Sequence, residues 1–95
     1  MNLADCRTLD ELSAFVKAKV IYAVDLKYRE IQELDPSLYG ITFEIKKNPL
    51  SFYVHYSGGM TYYDNVFINE EEARQYLTKR FSTQRRLKED DDDEK

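Results

Sequence analysis

Ninety-five residues, 42% of them hydrophobic, make one small domain with enough apolar material for a single core. Cys6 is the only cysteine, which excludes an intrachain disulfide, and the longest apolar run, VIYAV at 20–24, is far too short for a membrane span. The net charge of −4 sits in the tail: KEDDDDEK at 88–95 carries six acids against two bases, so 1–87 is neutral, and a surface imitating DNA is not expected.

The start, MNLADCRTLDE, has acids where a secretory leader needs a basic beginning and an apolar stretch, so the cytoplasm is the expected compartment. Thr8 followed by Glu11 predicts a capping box at a helix start. From there Leu9, Leu12, Val16, Val20, Ala23, Val24, Ile31 and Leu34 recur at three- and four-residue spacing, which predicts a helix over 9–34, ended by Asp35-Pro36. A competing pattern runs through the middle, where Val20, Tyr22, Val24, Leu26 and Tyr28 alternate with Ile21, Ala23, Asp25, Lys27 and Arg29 as a strand would. The uninterrupted run to REIQEL favours the helix.

After Gly40 the period changes to two. Ile41, Phe43 and Ile45 alternate with Thr42, Glu44 and Lys46, and Asn48-Pro49 ends that strand. Phe52, Val54 and Tyr56 alternate with Tyr53 and His55, Ser57-Gly58-Gly59 supplies a turn, and 62–68 makes a third strand. Alternation fails at Asp64-Asn65, where a bulge is expected. Asn69 with Glu72 starts a second helix, whose apolar face is Ala73, Tyr76, Leu77 and Phe81. The expected fold is α+β, ordered α-β-β-β-α: a three-stranded antiparallel meander with two helices packed on one face, as one domain over 1–87 with a disordered charged tail at 88–95.

A helix over 9–34 would be about 39 Å long, against about 20 Å for a six-residue strand. Its projecting stripe, with Ile31 and Leu34, would need a partner, and an antiparallel homodimer through this N-terminal helix is the expected relief.

No His-x-x-His or Cys-x-x-Cys spacing is present, so no metal, cofactor or catalytic residue is expected. A Cys6–His55 nucleophilic pair would require the two to meet in space. The bland reading of His55 is a solvent-facing or interface residue. The outward sheet face would carry Thr42, Glu44, Lys46, Tyr53, His55 and Tyr63, and tyrosines there either anchor a protein partner, stack on bases, or pair across strands as ordinary sheet packing. Between Ala73 and Lys88 stand Arg74, Lys79, Arg80, Arg85 and Arg86 without an acid, either a nucleic-acid contact or cations complementing a helix C-terminus.

The element order over 9–82 resembles the double-stranded-RNA-binding domain, which implies phosphate contacts by lysines at the start of the second helix. Glu70, Glu71 and Glu72 stand there instead and would repel phosphate. FINEEEA at 67–73 is similar to the strand-to-helix junction of AP2-like DNA-binding domains, whose sheet reads DNA with Arg and Trp; the outward positions here have neither.

The resulting expectation is a non-enzymatic interaction module with no membrane partner, an inhibitor or adaptor of a larger protein machine of the kind phages encode as accessory or anti-defence proteins. Its protein partner would dock on Tyr53, His55, Tyr63, Ile31 and Leu34. The alternative is a nucleic-acid-binding module using 74–88, with the acidic tail as its autoinhibitor.

Overall fold

The hydroxyl of Thr8 accepts from the Glu11 amide at 3.2 Å, and the Glu11 carboxylate accepts from the Thr8 amide at 3.1 Å, closing the expected capping box. The helix it starts, α1, is Leu9–Lys17 and no longer. The structure is a computed structural model that describes residues 1–93, with side chains through Phe81.

The helix expected over 9–34 is corrected: 18–34 folds as a hairpin. Strand β1 (Ile21–Asp25) pairs antiparallel with β2 (Glu30–Leu34), Val24 lying opposite Ile31 and Ile21 opposite Leu34. The physical reason is that β1 is buried on both faces, so both its odd and its even residues are apolar and satisfy the helical spacing as well as the strand spacing. The turn at 26–29 contains no glycine; Arg29 takes the left-handed conformation itself, at φ 57°.

The three-stranded meander is present as β3 (Ile41–Lys46), β4 (Ser51–Tyr56) and β5 (Thr61–Tyr63). The third strand breaks where its alternation fails. At Asp64-Asn65 the chain leaves this sheet, and β6 (Val66–Phe67) joins the other one beside β1. The architecture is therefore two small antiparallel sheets, ordered β2-β1-β6 and β3-β4-β5, with two helices and six strands in all among the described residues.

The helices do not share a face. The last element, α2 (Glu70–Asp93), is capped by Asn69, whose Oδ1 accepts from the Glu71 amide at 2.8 Å and the Glu72 amide at 3.2 Å. Ala73, Tyr76 and Leu77 of α2 pack with Val24, Leu26, Ile31 and Phe67. Phe15 of α1 packs instead with Ile21, Ala23, Leu34 and Val66, which the register puts on the opposite face of β1 and its neighbours, together with Phe52, Val54 and Tyr63 from the second sheet. Leu3 and Cys6, flanking a single 3₁₀ turn at Leu3–Asp5, complete that main core. Burying a side chain such as Phe15 or Phe52 contributes about 1.5–3 kcal/mol.

The overhang expected at Ile31 and Leu34 therefore does not exist: Leu34 is core and Ile31 is half-buried against α2, so the basis for a dimer through an N-terminal helix is gone. With two sheets and six strands, the order that resembled the double-stranded-RNA-binding domain is replaced as well. No helix among the described residues is long and apolar enough to cross a membrane. The side chains of Arg85, Arg86 and the tail at 88–95 lie outside the described residues; the backbone of α2 runs on through Asp93, into the segment for which a disordered tail is expected.

Candidate functional site

Because strands alternate faces, the inward set of the β3-β4-β5 sheet (Ile41, Phe43, Phe52, Val54, Tyr63) fixes an outward set. Thr42 lies opposite His55, Glu44 opposite Tyr53, and His55 in turn opposite Tyr62. Asp64, just past the end of β5, closes the row by bonding Lys46 Nζ at 2.7 Å.

Three rings form the centre of this face. The imidazole of His55 stacks on Tyr62 with centroids 4.4 Å apart and planes 12° from parallel, while Tyr53 meets the same tyrosine tilted at 5.6 Å. The ammonium of Lys46 hangs 5.3 Å from the centroid of Tyr53. Desolvation among these groups pushes the Tyr53 phenol above its ordinary value, and the carboxylate of Glu44 adds to the rise.

Glu44 and His55 hold the least satisfied atoms of the face. Glu44 Oε2 lies 4.0 Å from His55 Nδ1, beyond hydrogen-bond reach. That carboxylate oxygen and the other imidazole nitrogen, His55 Nε2, are both shielded from water and have no hydrogen-bond partner among the described residues. Each such buried polar atom costs free energy until it is paired.

Tyr53 and His55 are thus brought together as the sequence reading expects, and Tyr63 is not. Tyr63 is opposite Val54, buried in the main core at 6% exposure, while its neighbour Tyr62 takes the outward position at 58%. The cause is one residue of register: the loop between β4 and β5 occupies 57–60, closed by the Met60 amide on the Ser57 carbonyl, and that length pairs His55 with Tyr62. Tyr62 and Asp64 are the members of the face that sequence reasoning misses, and the loop length is the signal that would have found them. Ile31 and Leu34 belong to the other sheet and to its packing.

Cys6 is fully buried in the main core, with its Sγ directed at the Asn2 carbonyl at 3.7 Å, and burial pushes its thiol up. It lies on the inner side of β4 and His55 on the outer, so the structure does not bring the pair together. Among the described residues no group of three or more His, Cys, Asp or Glu is placed to hold a metal ion.

Two of the described bases of α2, Arg74 and Arg80, are engaged locally. Arg74 bonds Glu70 at 2.7 Å, one turn earlier, and Arg80 donates to the Tyr76 hydroxyl at 3.3 Å. Lys79 is exposed on the same helix. Arg29 of the β1–β2 turn lies over the Phe81 ring at 4.6 Å.

Comparison of the chain with protein-family models, curated proteins and solved structures finds no match.

Proposed function

We propose that the protein is a non-enzymatic interaction module that docks a protein partner on the outward face of its β3-β4-β5 sheet, centred on Tyr53, His55 and Tyr62. The observation that carries this reading is the combination of an exposed aromatic cluster with two shielded polar atoms, Glu44 Oε2 and His55 Nε2, that have no hydrogen-bond partner among the described residues. Tyrosines supply large rigid contact area, and a partner's backbone or side-chain groups would satisfy the two orphans. The role of a small inhibitor or adaptor of a larger machine, within the cytoplasm, belongs to this same proposal.

Charge on this face argues for protein over nucleic acid. Glu44 and Asp64 flank the rings, and the nearest cation, Lys46, is already bonded to Asp64. A phosphate backbone following those rings would meet two carboxylates. The basic stretch on α2 is a poor substitute, since Arg74 is tied to Glu70 and the helix opens on three glutamates.

The test is affinity capture from the native host extract, with and without nuclease, using the wild type and a Tyr53→Ala/Tyr62→Ala variant. A protein retained through nuclease treatment and lost with the variant is the expected result. Retention by the variant, or loss of everything with nuclease, would overturn the reading.

A further inference from the structure

A cleft of about 650 Å³ lies between the β1–β2 hairpin, from Val24 to Tyr28, and the chain from Gly59 to Asn65. Its origin is the change of sheet at Asp64-Asn65. Strand β6 pairs with only Tyr22 and Ala23 of β1, the Val24 amide takes the Asn65 carbonyl at 2.8 Å, and beyond that point β1 has no strand beside it on this side.

The opposite wall is β5, an edge strand. The Ser57 amide bonds the Gly40 carbonyl toward β3, and antiparallel ladders alternate, so Val54 and Tyr56 are the residues of β4 that share backbone bonds with β5. Tyr62 therefore directs its own amide and carbonyl away from β4, on the side of the cleft. An extended chain laid along β5 would pair with them.

The side chains of the cleft define what such a chain would carry. Tyr28, Met60 and Tyr62 stand at its rim 66%, 77% and 58% exposed, and Asp25 and Asp64 bring a carboxylate to each wall. Of the cations at hand, Lys46 bonds Asp64, and Lys27, which also lines the cleft, holds its ammonium 5.3 Å from the centroid of the Tyr28 ring. Tyr63, the last residue of β5, has its phenol pushed up by desolvation and then by the charge of Asp25.

We infer that this cleft receives an extended segment of the partner protein, added as a strand against β5 and carrying arginine or lysine side chains toward Asp25 and Asp64, with apolar residues against Met60 and Tyr28. The inference rests on the reading that the partner is a protein, and it supplies that partner's chemistry: a basic, β-forming segment. Tyr62 and Asp64 belong to both the sheet face and the cleft, so one partner would occupy the two continuously.

The test titrates a fluorescein-labelled Val-Arg-Val-Arg-Val peptide, and the same peptide with Glu for Arg, into the full chain, followed by anisotropy and by amide NMR. Saturable binding of the basic peptide, at least about tenfold tighter than the acidic one, is expected, with shifts at Met60, Tyr62 and Asp64 and slowed exchange of the Tyr62 amide. Asp25→Asn with Asp64→Asn should weaken it about tenfold; Asn at 25 keeps the oxygen that the Lys27 and Tyr28 amides use. Equal binding of both peptides, no saturation, or shifts confined to the acidic tail at 88–95 would overturn the inference. Capture of the native partner separates the two readings. Loss with Tyr53→Ala but indifference to the double Asn variant leaves the sheet face standing and removes the cleft.

Discussion

The imidazole of His55 lies flat on the ring of Tyr62, 4.4 Å between centroids, on the face of the sheet opposite the core. Tyr63, the next residue, is almost completely buried on the other side. Two adjacent tyrosines thus face opposite sides of the sheet, and the difference between them can be measured.

Tyr63→Ala should cost roughly 3–5 kcal/mol, the range for emptying a large aromatic from a core. Tyr62→Ala removes only an exposed stacking partner and should cost about 0.5–1.5 kcal/mol. Urea denaturation of the two variants decides the matter. Equal losses would mean that the outward cluster is structural packing and not a docking face.

Asn2 joins the start of the chain to β6 and to the residue before it, Asn65. Its Oδ1 accepts from the Val66 amide at 3.0 Å and from Ala4 at 3.1 Å, and its Nδ2 donates to Asn65 Oδ1 at 2.9 Å. Asn2→Ala leaves the part-buried Val66 amide without an acceptor and should destabilise by about 1–3 kcal/mol. Hydrogen exchange at Val66 should accelerate in the variant. An unchanged rate would show that the bond is not formed in solution.

The fold was legible wherever one face of an element is buried and the other wet. Ile41 and Phe43 and then Phe52 and Val54 alternate cleanly because only their face meets the core, and the capping residues Thr8 and Asn69 announce themselves by chemistry. The first hairpin was illegible for the opposite reason. The core lies against Ile21 and Ala23 while α2 lies against Val24, so neither period is distinctive, and the turn closed by Arg29 at positive φ has no glycine or proline, only Asp25, whose Oδ1 accepts from the Lys27 and Tyr28 amides. At the site, the residue types were legible but their register was not. A shift of one residue exchanges Tyr62 with Tyr63, and only the length of the 57–60 loop decides between them.

Glu11 gives the capping box a pH signature. The Arg7 amide and then the Thr8 hydroxyl hold its carboxyl below the ordinary value. A depressed folded pKa contributes stability that is present above the unfolded value and lost as pH falls through the folded one. Glu11→Gln should therefore flatten the acid limb of the stability curve below the usual carboxylate range while leaving its slope at neutral pH alone, and Thr8→Ala, which removes the N-cap itself, should cost about 1 kcal/mol at neutral pH. Thermal melts across an acid series provide the check. An acid limb identical to the wild type would mean that the box is not closed.

Burial also predicts the reactivity of Cys6. The thiol is fully buried in the main core and pushed up by desolvation, ahead of the charges of Glu11 and Asp5. Modification by a thiol reagent should proceed only through opening of the domain, so its rate should rise with urea in step with unfolding. Rapid labelling of the native chain would contradict the placement of the 3₁₀ turn beneath β4.

The last prediction separates the hairpin from the projecting helix that the spacing of apolar residues suggests. On a helix overhanging the sheet, Ile31 would sit at an interface between two copies, and Ile31→Glu would halve the mass and leave each monomer as stable as before. In the hairpin, Ile31 lies opposite Val24 on β1 and packs under Tyr76 and Leu77 of α2, half-buried within one chain. A carboxylate there loses the apolar burial and stands in a partly dry seam, which should cost about 1–3 kcal/mol of folding stability. Leu34 lies deeper, at 8% exposure in the main core, and Leu34→Ala should cost about 2–5 kcal/mol. Because both losses arise within the fold of one chain, the urea midpoints should not move with protein concentration, whereas a dimer coupled to folding would shift them. Midpoints that rise with concentration in the wild type and cease to do so in Ile31→Glu would return Ile31 to an interface and remove α2 as its cover.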